Sequence, residues 1–473
     1  MKPAICLLIA FCFTSLLKAQ QACNCPESLS RLQQLIRRNY AGYADKITPK
    51  TNPAHNAAYK RLSAKAAAAK QQSTCVAVLE EYIAYWKDKH LYLTGAVAET
   101  KKPRLYALDS NKAQTYFERN ASRLDPVEGF WKLEDYYTIA VVQDPKKPKG
   151  YFLGVVMQAK NPDWKEGMVK LTLHKAEGNY YDVNYIDGEF GTTTTQSVVN
   201  GDMLDIFMVG PYRKTYPAVD PVIATTNYQS PFPQTDVDFR FPDDSTAILM
   251  LYNFYPTVRA ALDSMLLVHK QALESRPYWI IDVRNNSGGG TGTYERILPY
   301  LYTGPILRSG SRYWLSPENV SRYEEFSSSG LPQNIKDFFA SMVAAGRARP
   351  NTWFPDPGDS FTFASIAPYP KKIAVLANRL TSSSAEIFLM DARHSKKVTL
   401  FGEFSQGVVD YGDGTKHALP CADLEVSIPV RRSNYLDTVR YDGIGIKPDV
   451  FVPGKVRDWY GFVKKHWAVH RDK

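Results

Sequence analysis

Ile373-Ala374-Val375-Leu376-Ala377-Asn378-Arg379-Leu380-Thr381-Ser382-Ser383-Ser384-Ala385-Glu386-Ile387-Phe388 decides the fold. Its first five residues form an apolar run too short for a helix, and it reads as a strand buried on both faces. Hydroxyls follow from Thr381 to Ser384, and an apolar helix begins at Ala385. The plain reading of the turn is a helix cap, because Ser383 with Glu386 three residues later fits a capping box. The same place suits a nucleophile, since the free N–H groups and dipole of a helix start favour a developing oxyanion.

Outward from this stretch, strands and helices alternate from Ser245 to the C-terminus. Strands are expected at Ala247–Tyr252, Tyr278–Val283, Ile373–Asn378 and Val398–Gly402. Helices are expected at Thr257–Ala272, Tyr294–Tyr302 and Ala385–Arg393. That alternation implies an α/β layer domain, with residues 309–365 as an insertion of the kind that covers a site. A second strand ends in a glycine-rich turn, Ile280-Ile281-Asp282-Val283-Arg284-Asn285-Asn286-Ser287-Gly288-Gly289-Gly290. Bare backbone N–H groups in such a turn hold an anion or an oxyanion. Neither nucleotide-binding glycine fingerprint is met.

Upstream the period changes to two. Tyr136–Val142, Tyr151–Gln158, Met168–His174 and Tyr180–Ile186 read as strands of an antiparallel β-module, a small barrel or sandwich, over residues 126–235. Its Trp131, Tyr136, Tyr180 and Tyr181 read as core before ligand contacts. Residues 20–115 are helical, with Leu29, Leu32, Leu35 and Ile36 on one face. At the start, Lys2 precedes an apolar stretch from Ala4 to Leu17, short of the roughly 20 residues a spanning helix needs. It reads as a signal peptide, residues 1–19, and implies an exported protein, periplasmic or extracellular.

The chain has 473 residues, 44% of them hydrophobic and 22% charged. That is enough for about three domains at roughly 150 residues each. The net charge of +10 is spread out, which argues against a nucleic-acid partner, and no second apolar run offers a membrane span. Of six cysteines, Cys6 and Cys12 fall in the signal. The four that remain allow three pairings, and Cys75 is expected to pair with Cys23 or Cys25. No zinc-type spacing is present.

Taken together, these segments resemble the tail-specific, or C-terminal processing, serine peptidases, whose core is crotonase-like (ClpP-like) α/β. The family's Asp-Leu-Arg-x-Asn-x-Gly-Gly stretch is matched by Asp282–Gly289. Its nucleophile three residues before a helix-opening Glu is matched by Ser383 and Glu386. Its Gly-Glu is matched by Gly402-Glu403, and its late Gly-x-Gly-Ile-x-Pro-Asp segment by Gly443–Asp449. The resemblance implies an α+β multidomain chain: a helical N-terminal unit, an antiparallel β-module that is not clearly a PDZ domain, and a catalytic domain over 245–473. Where the bacterial processing branch has a Lys base, this chain has Val408. The tricorn-core-like branch uses a His after an N-terminal helix, which here is His90 in Asp88-Lys89-His90-Leu91-Tyr92. That branch also has an acid just before the late motif, which here is Asp442. His417, after a Gly-Asp-Gly turn, is the rival to His90.

The resemblance therefore implies a serine peptidase acting through an acyl-enzyme, without a metal or organic cofactor. Ser383 attacks, His90 is the base, and Asp442 orients it directly or through one intermediary. The oxyanion is held by N–H groups of Gly288 or Gly289 with Ser384. The substrate is a peptide or protein. The alternative is a non-catalytic cell-envelope protein binding peptide or glycan on the same scaffold.

Overall fold

The computed structural model describes residues 23–95, 103–176, 178–219, 230–421, 424–454 and 456–470. The signal segment lies outside them. Helices Cys25–Asn39, Asn52–Ala68 and Gln72–Tyr85 open the described chain and lead to a short strand, β1 (Tyr92–Thr94). Leu32, Leu35, Ile36, Leu79 and Trp86 from these helices are buried together. They share that core with Tyr411, Val426 and Ile428 from the far end of the chain. The helical unit is thus sealed by the C-terminal part and, among the described residues, shares its core with it.

Eight strands from β2 (Gly129–Leu133) to β9 (Gly210–Tyr216) follow one another around a closed antiparallel barrel. Strand alternation turns Trp131, Ile139, Val141, Tyr181 and Tyr212 inward, so Trp131 and Tyr181 are core. Tyr136, at 52% exposure, faces solvent. Helix Ser110–Arg119 begins within the stretch read as the N-terminal unit and runs past its end, and its Ala113 and Phe117 pack on the barrel's outer face against Ala140, Val142 and Leu153.

The C-terminal part holds two sheets. The larger is ordered β10 (Val237–Asp243), β11 (Thr246–Leu251), β12 (Tyr278–Asp282), β15 (Lys372–Ala377), β16 (Val398–Gly402) and β19 (Val450–Phe451). All neighbours in it are parallel except β10 and β11. Leu249, Ile281 and Val375 face the helices Arg259–Val268 and Ser384–Ala392. Ile280, Ala374 and Leu376 face the helix Trp459–Val469. Burial on both faces explains why β12 and β15 are unbroken apolar runs. The expected helix Thr257–Ala272 is divided at His269, and Tyr294–Tyr302 is reduced to short turns around Pro299.

The second sheet joins β1, β18 (Glu425–Ser433), β13 (Ile306–Trp314) and β14 (Trp353–Phe361), with β17 (Tyr411–Ala418) also on β18. The insertion is therefore a hairpin, β13 and β14, carrying two packed helices, Pro317–Ser327 and Gln333–Ala348. Trp314 and Ser316 reach the first helix, donating to Arg38 O at 2.7 Å and Asn39 Oδ1 at 2.5 Å. It is a built part of the sheet that presents β1.

Candidate active site

The turns after β12 and β15 lie side by side at the C-terminal edge of the parallel sheet, where α/β sheets place ligands. Their side chains lock them together. Asn285 N–H donates to Asn378 Oδ1 at 2.9 Å, and Asn378 Nδ2 donates back to Asn285 Oδ1 at 2.8 Å. Thr381 Oγ1 donates to Val283 O at 2.8 Å, and Ser382 N–H to Asn286 O at 2.9 Å. Asp282 pairs with Arg284 at 2.6 Å and accepts Tyr460 OH at 2.8 Å. The Asp-x-Arg pair thus anchors the turn to the last helix and leaves the chemistry to others.

Ser383 sits at φ 56° and ψ −125°, a conformation a side-chain-bearing residue adopts only when its surroundings impose it. Glu386 imposes it. The fully buried carboxylate accepts Ser383 N–H at 3.1 Å, Ser405 Oγ at 2.6 Å, and Gly407 and Val408 N–H both at 2.8 Å. Val408, at the position of the other branch's lysine, thus contributes its backbone. Burial raises the Glu386 pKa, and these four donors oppose the rise. Ser405 Oγ in turn accepts Ile446 N–H at 2.6 Å, which ties the late glycine motif to the nucleophile turn.

His90 arrives from the N-terminal unit, just ahead of β1, which pairs with β18. Its Nε2 lies 3.1 Å from Ser383 Oγ. Its Nδ1 is buried without a hydrogen-bond partner among the described residues. Burial pushes the imidazole below its usual 6.5. Asp88, Asp413 and the Tyr411 backbone pull it up, and Arg431 pushes it down. His417 is elsewhere, buried in β17 with Nε2 at 2.9 Å from Thr415 Oγ1, and burial lowers it to about 4.

The expected oxyanion donors separate. Gly288 N–H is already spent on Asn286 Oδ1 at 2.8 Å, so it is withdrawn from that role. A side chain at Gly288 would meet Ser383 Cβ at 2.8 Å and Ser384 N at 2.9 Å, so only glycine lets the two turns touch. The N–H groups of Gly289 and Ser384 have no partner among the described residues. Both residues line a cleft of about 580 Å³, with Ser383, Ile387, Met390 and Tyr313 also in its wall.

No hydrogen bond joins Asp442 directly to His90 among the described residues. Its Oδ1 accepts Val409 N–H at 3.0 Å and Asp410 N–H at 2.9 Å, and Asp410 Oδ2 accepts Asp442 N–H at 3.0 Å. Burial, then Asp88 and Asp410, push the Asp442 carboxyl up to about 8. The carboxylate that does bond to His90 is Asp88, whose Oδ1 accepts the His90 main-chain N–H at 2.9 Å. The Asp-x-His spacing is the sequence signal that marks Asp88. The cysteines form two bridges, Cys25–Cys75 and Cys23–Cys421. The second was missed, because nothing local marks a partner 398 residues away.

Residues 245–452 match peptidase family S41. No curated protein matches the chain in sequence. Among solved structures, mature CPAF complexed with lactacystin shares 12% identity at a TM-score of 0.52, covering 94% of this chain and 97% of that one. Mature CPAF shares 13% identity at a TM-score of 0.51, covering 95% and 98%. At these identities the likeness concerns the fold.

Proposed function

We propose that this chain, whose residues 245–452 match peptidase family S41, is an exported serine peptidase cleaving peptide bonds through an acyl-enzyme on Ser383, with His90 as general base. The observation that carries this reading is the 3.1 Å approach of His90 Nε2 to Ser383 Oγ across 293 residues of chain. Ser383 Oγ adds to the scissile carbonyl as its proton passes to His90 Nε2. The oxyanion forms against Gly289 and Ser384 N–H, each such donor being worth roughly 3 kcal/mol of barrier. His90 returns the proton to the leaving amine, and water, activated by the same imidazole, releases the acyl group. Substrates are peptides or proteins lying in the cleft beside Ile387 and Met390. The two disulfides support an oxidising compartment and hence export.

A serine-reactive fluorophosphonate probe tests the assignment. The wild-type protein is expected to label and Ser383→Ala to lose labelling and proteolysis while melting cooperatively. Full labelling of Ser383→Ala would move the nucleophile elsewhere. A wild-type protein that neither labels nor cleaves would favour the peptide- or glycan-binding alternative.

A further inference from the structure

Asp88 is buried, at 5% exposure, two residues before His90. Both its oxygens are engaged. Oδ1 accepts the His90 main-chain N–H at 2.9 Å and Oδ2 accepts Tyr40 OH at 2.7 Å. Tyr40 closes the helix Cys25–Asn39, with its N–H on Ile36 O at 3.0 Å. Its ring packs edge-on to Trp86 at 5.7 Å and against Tyr411 at 5.4 Å. Burial and Asp88 hold the Tyr40 phenol protonated, so it serves as donor. Lys46 lies over the Tyr40 and Tyr411 rings at 5.5 and 5.0 Å and donates to Trp86 O at 2.6 Å, a half-buried amine beside the carboxyl groups.

We propose that Asp88 is the positioning residue of the Ser383–His90 pair, fixing the imidazole through the His90 main chain and itself aimed by the Tyr40 hydroxyl. This rests on the reading of Ser383 and His90 given above. Two fixed oxygens leave Asp88 no free rotation, so the loop carrying His90 is held to the first helix. The charges facing His90 are Asp88 from its own loop, Asp413 from β17 and Arg431 from β18. Those around the carboxyl cluster are Lys46, Asp410, Asp442 and Arg440.

The test follows the second-order rate of fluorophosphonate labelling against pH in the full chain. Asp88→Asn is expected to lower the plateau by about tenfold to a hundredfold, the scale on which misplaced catalytic groups cost rate. It is also expected to move the rising limb to lower pH, because the lost negative charge had favoured the imidazolium. Tyr40→Phe keeps the charge and loses the aim, so its plateau should fall without that downward move. If Asp88→Asn does not fold, Tyr40→Phe decides alone: a wild-type plateau overturns the proposal. Wild-type plateaus and limbs in both variants, with His90→Ala unlabelled, overturn the role of Asp88 and leave the catalytic pair standing. Full labelling of His90→Ala overturns the pair and the proposal with it.

Discussion

Ser383 carries a strained backbone, of order 1–3 kcal/mol for such a conformation, and Glu386 supplies the four-fold bonding that holds it. One side chain therefore has two duties: a cap that satisfies the helix start and a clamp that aims the hydroxyl. The His90 imidazole is pushed below 6.5 by its burial, and a base must be neutral to accept a proton. The rising limb of kcat/KM is accordingly expected below pH 6.5, and a limb above pH 8 would point to a lysine base. Asp442 has a folded value of about 8 against an ordinary 3.8. A carboxyl raised in this way contributes stability that is complete below about 4 and lost as pH rises through about 8. Asp442→Asn, which keeps the neutral shape and cannot ionise, should therefore gain in melting temperature over wild type between pH 5 and pH 9. An equal difference at both pH values would show that Asp442 is ionised throughout.

Elements do their work in pairs. The turns after β12 and β15 are each irregular alone, and the Asn285–Asn378 exchange makes them one rigid shelf. The barrel shows a different economy of polar groups. Lys170 is fully buried, with Nζ 3.9 Å from the Trp164 ring centroid, 4.0 Å from Tyr137 and 4.9 Å from Tyr185, and donates to Asp187 O at 3.1 Å. Aromatic faces offset part of the cost of the cation, yet burial still lowers its pKa to about 7. A lysine lowered from 10.5 contributes stability present at high pH and lost as pH falls through about 7. Lys170→Met should therefore help most at pH 7 and below, and its advantage in melting temperature should shrink towards pH 10. A pH-independent difference would mean that the amine does not titrate on unfolding.

At the scale of the molecule, the Ser383–His90 contact joins two ends of the chain, so whatever fastens the ends also holds that contact. Three fastenings are visible: the β1–β18 pairing, the shared core around Tyr411 and Trp86, and the Cys23–Cys421 bridge. A cross-link closing so long a loop stabilises chiefly by restricting the unfolded chain, typically by about 2–4 kcal/mol. Replacing Cys23 and Cys421 by Ala should lower the unfolding free energy by about that amount and the melting temperature with it. Non-reducing peptide mapping of the wild type should find Cys23 with Cys421 and Cys25 with Cys75. Exclusive recovery of Cys23 with Cys75 would contradict the fold of the N-terminal unit.

What the sequence determined by itself is local. The period of two over residues 136–186, the apolar runs of β12 and β15, the glycine turn and the Ser383–Glu386 spacing follow from forces acting within a few residues, so they are readable in one dimension. His90 was legible because it stands beside a helix end in a short motif. Only the tertiary structure decided which carboxylate meets it, since Asp88 and Asp442 are equally acidic in sequence and differ only in what surrounds them. It also decided which glycine keeps a free N–H, because Gly288 is consumed by a neighbour two residues away whose side chain turns inward only when Asn286 Nδ2 finds Leu251 O. The insertion became sheet because β18 offered an unpaired edge. Such outcomes depend on contacts across hundreds of residues, and those form only when burial of the shared core brings the two ends of the chain together.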